Sequence, residues 1–153
     1  MAVALGSNLG DRAGHLAWAL DQLAAVLDGL QSTPPEDTTP LDVPAPQPSY
    51  LNSVAIGWTT LGRREFFDRL NALERARGRT GKGTRGARTL DLDLILYGDD
   101  VVSEPDLAVP HPRFRERAFV LGPLARLAPG WRDPVSGRTM AALWRARRPS
   151  GGA

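Results

Sequence analysis

The chain has 153 residues, 42% hydrophobic and 24% charged, ordinary values for a globular protein able to bury a real core. Its 19 Lys/Arg against 17 Asp/Glu leave a formal net charge of +2, too small for a protein built mainly to coat nucleic acid. There is no cysteine, which excludes disulfides and thiolate metal sites, and no apolar run or signal peptide to suggest a membrane, so the default is cytoplasmic.

Ala2 to Leu5 reads as a short apolar strand, ended by Gly6-Ser7-Asn8-Leu9-Gly10. Asp11 is placed to cap a helix with its stripe on Leu16, Leu20, Leu23 and Leu27, and Gly29 as its stop. Gln31 to Ser49 holds six prolines and reads as a long loop with a weak edge strand near its start. Pro34-Pro35-Glu36-Asp37 should leave that strand short or broken. Tyr50 to Trp58 alternates, which predicts a strand with Tyr50, Asn52, Val54, Ile56 and Trp58 on one face. Arg64 to Arg77 is a helix with its stripe on Phe66, Phe67, Leu70 and Leu73. An Arg/Gly-rich stretch, Arg75 to Thr89, follows and runs into the alternating RTLDLDLILY, Arg88 to Tyr97. Val109-Pro110-His111-Pro112 is an extended corner. Glu116 to Leu127 is a helix kinked or divided at Pro123, and Thr139 to Ala146 is a short terminal helix. This order predicts an α+β fold, a ferredoxin-like α/β sandwich. Helices pack on one face of an antiparallel sheet, and a C-terminal helical extension follows. Residues 1–148 are expected to form one domain and 149–153 a disordered tail.

The alternating strand carries the most information. Leu90, Leu92, Leu94 and Leu96 would face a core, while Asp91 and Asp93 lie together on the other face, roughly 6.5–7 Å apart. Neighbouring carboxylates repel, so they point to a hard cation such as Mg2+; the alternative is an acidic wet face. The basic, glycine-rich stretch before them suits a polyphosphate, or else a solvated loop. Glu74 shares the stripe of its helix near the unfavourable end of the dipole, so it binds a ligand or pairs with Arg77 or Arg79. Asn52 and Tyr50 project together and would read and stack a heteroaromatic ring, or simply pack. His111 between two prolines is either a phosphate donor or structural.

ALGSNLGDR, YLNSVAIGWTTL, RTLDLDLILYG and VPHPRFRERAFVLGPLARLAP occur in this order over nearly the whole chain. In these blocks the chain resembles the 6-hydroxymethyl-7,8-dihydropterin pyrophosphokinase family of folate biosynthesis. The resemblance implies transfer of the pyrophosphoryl group of ATP, the co-substrate, to the hydroxymethyl oxygen of a reduced pterin, with release of AMP. It implies two Mg2+ ions on Asp91 and Asp93, and catalytic roles for Arg79, Arg88, Asp91 and Asp93. ATP would be bound by Asn71, Glu74, Arg79, Lys82, Arg88, Leu94, His111 and Arg117, with Lys82 on a loop that closes over both substrates. The pterin would lie between Tyr50 and Phe119, hydrogen-bonded by Asn52 and by the backbone at Thr39 and Pro40. No side chain is an obvious general base; a metal-polarised hydroxymethyl group or Asp93 through a short relay are the two candidates. The expected partners are these small molecules, not nucleic acid or a membrane, with a monomer favoured.

The family usually carries Arg-Trp-Gly-Pro-Arg before the Thr-Leu-Asp motif. Here Thr84-Arg85-Gly86-Ala87-Arg88 lacks both the Trp and the Pro, so an aromatic lid contact is lost and the register of 79–85 stays open. Two rivals are an RNA-binding module on the same fold and a catalytically silent nucleotide binder. The aspartate pair argues against the first.

Overall fold

The computed structural model describes residues 1–38, 49–78 and 89–147. Five strands form one antiparallel sheet: β1 (Ala2–Ser7), β2 (Asp28–Ser32), β3 (Glu36–Thr38), β4 (Tyr50–Trp58) and β5 (Asp91–Leu96). Their order is β2-β4-β1-β5, with β3 also on β4. Helix α1 (Arg12–Ala24) crosses from β1 to β2, leaving room for β4 between them. Helix α2 (Arg63–Ala76) crosses in the same way from β4 to β5, over β1. Two such split crossovers make the ferredoxin-like α+β arrangement.

Side-chain alternation divides the core in two. Val3, Leu5, Ala55, Leu92 and Leu94 meet Leu16 and Leu23 of α1 and Phe66 and Leu70 of α2. Val54, Ile56, Ile95 and Leu96 face the opposite way. They are covered by α3 (Ala118–Leu127) and α4 (Met140–Ala146), through Val120, Leu121, Leu124 and Met140. Helices on one face therefore describe α1 and α2, and the C-terminal extension covers part of the other. Asn52, Asp91 and Asp93 lie on this same face, in register with Val54.

Several local expectations hold and several need correction. Asp11 does cap α1, accepting the Gly14 N–H at 3.0 Å. Helix α1 ends earlier than expected, with Ala25 as its C-cap. Gly29 instead sits within β2 at φ +64, beside a register shift against β4 and 3.4 Å from the Trp58 ring at its would-be Cβ. The proline-rich edge is broken as expected, since Pro34 and Pro35 fall between β2 and β3 and lack the N–H a ladder needs. Leu96 leaves the leucine stripe because a bulge places it, rather than Ile95, opposite Ala2. Helix α3 runs through Pro123 undivided, but its start is replaced by a 3-10 turn at Phe114–Glu116. A small hairpin, β6 (Val102–Ser103) with β7 (Ala108–Val109), was not foreseen.

Candidate active site

The open part of the sheet is organised by one row across four strands. Gly6 of β1 pairs with Asn52 of β4 on one side and with Asp91 of β5 on the other. Asn52 in turn pairs with Glu36 of β3. Residues opposite each other in a ladder share a face, so Asn52 and Asp91 look the same way across Gly6, two strand spacings or about 10 Å apart. Glycine at the centre keeps that floor flat. A Cβ there would lie 3.1 Å from Asn52 Oδ1 and 3.6 Å from Tyr50 Cδ1.

Asn52 is buried, and its Nδ2 donates to the Thr38 hydroxyl of β3. This fixes the amide plane and leaves Oδ1 above Gly6. Tyr50, two residues back on the same face, pairs with Thr38. Phe119 stands on the first turn of α3, 38% exposed, with the Arg117 guanidinium 6.0 Å over its ring. An exposed aromatic there has no core to fill.

On the β5 side lies a cleft of about 360 Å3. Asn71, Glu74, Asp91, Asp93, Leu94 and His111, six of the residues expected at the nucleotide, line it together. Glu74 is only 4% exposed, and its Oε2 accepts the Leu92 N–H at 2.7 Å. Arg77, one of its two expected partners, instead donates to His15 Nδ1 at 2.8 Å and stacks on Trp18 at 4.8 Å. The His111 corner is tied to β5 by its own N–H, which donates to Ile95 O at 2.8 Å. Burial first, then the Arg117 charge, push the His111 imidazole down to about 4, with Asp91 opposing and Arg113 adding to the drop. The ring is then neutral near pH 7. Because Nδ1 accepts the Arg113 N–H at 3.1 Å, its proton sits on Nε2, a donor suited to phosphate oxygen. Arg117 Nη1 stands 3.9 Å from Asp93 Oδ2.

The aspartates fit Mg2+ by their donor set. Both carboxylates are half-buried on one face of an edge strand. Two carboxylates without a thiolate or imidazole between them are the hard oxygen donors that suit an ion keeping water and substrate phosphate as its other ligands.

Thr39, Pro40, Arg79, Lys82, Arg85 and Arg88 lie outside the described residues, as do 149–153. The outer wall of the cleft, Glu104 to Ala108, escaped sequence reasoning. It is clamped by Arg64, which donates to Asp106 at 2.7 Å and to Glu104, and stacks on Phe67 at 5.5 Å. Partners forty residues apart leave no local pattern to read.

Comparison with known proteins decides the family. Residues 2–129 match the family described as 7,8-dihydro-6-hydroxymethylpterin-pyrophosphokinase. The chain belongs to this family. It is 38% identical over 141 residues to a 2-amino-4-hydroxy-6-hydroxymethyldihydropteridine pyrophosphokinase of Synechocystis, covering 92% of this chain and 72% of that one. A protein of the same name from Pseudomonas aeruginosa is 41% identical over 137 residues, 86% of this chain and 82% of its own. An Arabidopsis thaliana folate synthesis bifunctional protein is 38% identical over 130 residues, 83% of this chain but only 23% of that longer one. In this pyrophosphokinase-family chain Asp91 belongs both to the Asn52–Gly6–Asp91 row and to the lining of the cleft. No helix among the described residues is long and apolar enough to cross a membrane.

Proposed function

We propose that the protein transfers the pyrophosphoryl group of ATP to the hydroxymethyl oxygen of 6-hydroxymethyl-7,8-dihydropterin. The observation that supports this reading is the row Asn52–Gly6–Asp91, an amide and a carboxylate on one face two strand spacings, about 10 Å, apart. Asn52 Oδ1 accepts from the pterin ring, while Tyr50 and Phe119 hold its faces, with Thr39 and Pro40 at its edge. Asn71 and Leu94 border the nucleotide, and Glu74 both holds β5 and faces it. His111 and Arg117, with Arg79, Lys82 and Arg88, hold the phosphates by charge-assisted hydrogen bonds. Asp91 and Asp93 hold Mg2+, two ions in all, which supply charge neutralisation at the phosphates.

The reaction forms a bond from the hydroxymethyl oxygen to the β-phosphorus. It breaks the bond from that phosphorus to the oxygen shared with the α-phosphate, AMP leaves with the electron pair, and the hydroxyl proton is released to solvent, with Asp93 through a short relay as its route. The side chains do little covalent work; they align the attacking oxygen and spread charge. Residues 1–148 act as one domain, a cytoplasmic monomer working on small molecules rather than on nucleic acid or a membrane.

The test is an omission series with ATP, Mg2+ and the reduced pterin. AMP should appear only when all three are present. Steady AMP release without pterin, or none in the full mixture, would overturn the reading.

A further inference from the structure

We propose that Arg12 is a positioning residue for the pterin, acting through the two strand ends that carry the ring site. The inference rests on the proposed function above. Arg12 opens α1, and its Nη1 donates both to Asp37 Oδ1 at 2.6 Å and to the Ser49 carbonyl at 2.7 Å. The Ser49 hydroxyl donates to the same Asp37 oxygen at 3.3 Å. Asp37 directly precedes Thr38, the acceptor that orients Asn52. Ser49 directly precedes Tyr50, which pairs with Thr38 across the ladder. One guanidinium thus joins the residues that directly precede Thr38 and Tyr50, 25 and 37 positions away in sequence.

The strand it steadies has few other supports among the described residues. β3 is three residues long, pairs with β4 at Glu36–Asn52, Asp37–Leu51 and Thr38–Tyr50, and is tied to α3 by an exposed bond from Arg126 to Glu36 at 2.5 Å. The prolines before it cut it off from β2. A three-residue edge strand is weak by itself. The Arg12–Asp37 pair is partly exposed, with side chains 30% and 60% exposed, so solvent screening keeps its contribution to global stability small. Its effect is local: charge-assisted bonds fix the angle at which Thr38 meets Asn52, and hence where Asn52 Oδ1 stands over Gly6. The Asp37 carboxyl is held below its usual range, first by its hydrogen bond from Arg12, as expected of a working contact. No part of this bridge lines the nucleotide cleft.

Steady-state kinetics of Arg12→Gln and Arg12→Lys, with pterin and ATP varied separately and thermal midpoints alongside, test this. Arg12→Gln should raise KM for the pterin about tenfold and leave kcat, KM for ATP and the midpoint nearly unchanged. Arg12→Lys, which keeps the charge but not the planar fork, should recover part of the loss. An unchanged pterin KM, or equal rises for both substrates with a lowered midpoint, would overturn the role. Wild-type protein that turns over normally while Arg12→Gln matches it overturns Arg12 alone. Wild-type protein that makes no AMP overturns the function and this role with it.

Discussion

Glu74 reaches from α2 to the strand that carries both aspartates: its Oε2 accepts the Leu92 N–H at 2.7 Å, and Leu92 lies between Asp91 and Asp93. Among the described residues β5 is a sheet edge, with no neighbouring strand for that N–H on its outer side. A buried carboxylate thus closes the ladder and fixes the height of both aspartate side chains, the Mg2+ ligands of the proposed function. Glu74→Ala should cost about 1–3 kcal/mol, because a buried donor is left unmet. Glu74→Gln should keep most of that stability, since the amide oxygen still accepts. Urea unfolding of both variants checks this; equal losses would mean that the charge, not the acceptor, matters.

Asp91→Ala and Asp93→Ala should each leave the fold intact and abolish turnover. Their side chains are half-buried on β5 rather than packed in the core, and in the proposed function their loss removes the ligands of the Mg2+ that would neutralise phosphate charge. Circular dichroism and AMP assays on both variants check it. Wild-type-like turnover in either would remove Mg2+ binding by that residue from the mechanism.

Asn52→Ala should weaken pterin binding by about 1–3 kcal/mol, because buried ring groups lose their partner. ATP binding should barely change. Separate titrations of the two ligands decide the matter, and an equal loss for both would make Asn52 a residue of the fold alone.

Gly6→Ala probes the floor between the two subsites. Its Cβ would approach Asn52 Oδ1 to 3.1 Å, so the amide must shift by a few tenths of an ångström. Pterin KM should rise while the fold persists. A pterin KM equal to wild type would show that the floor tolerates a methyl group.

Much of this was legible because it rests on periodicity. β4 runs from Tyr50 to Trp58 as its alternation predicts, and Asp11 caps α1 as its position predicts. The dual-faced strand at Asp91 follows from strict alternation, but the bulge at Ile95 does not, because bulges depend on the opposite strand. β2, Asp-Gly-Leu-Gln-Ser, has no apolar pattern and exists through its pairing with β4. In the site, residue types were legible and their partners were not. Glu74 was expected to meet a ligand or an arginine; its bond to the Leu92 N–H comes in addition, and a backbone N–H carries no sequence signal. Arg12, Thr38 and Gly6 were invisible as site elements for the same reason: their meaning lies in register.

Asp133 makes stability depend on acid. Its side chain is fully buried and takes two hydrogen bonds from Arg115, at 2.5 and 2.6 Å, fastening the C-terminal segment to the 3-10 turn. Burial pushes its carboxyl up, but the bonds from Arg115, the Val135 N–H and Ser136 outweigh this and hold it down at about 2, against 3.8 ordinarily. A depressed folded value means the stabilisation is present above about pH 4 and is lost as pH falls through about 2. It amounts to about 2 kcal/mol. Asp133→Asn should lower stability at pH 7 and flatten its fall between these values. Parallel urea curves for both proteins would refute this.

The central claim is that two phosphates move together. ATP labelled at its γ-phosphorus, incubated with Mg2+, the reduced pterin and the protein, tests it directly. The account predicts AMP and doubly phosphorylated pterin in equal amounts, with the label on the pterin. ADP beside a singly phosphorylated pterin, or label released as free phosphate, would contradict it.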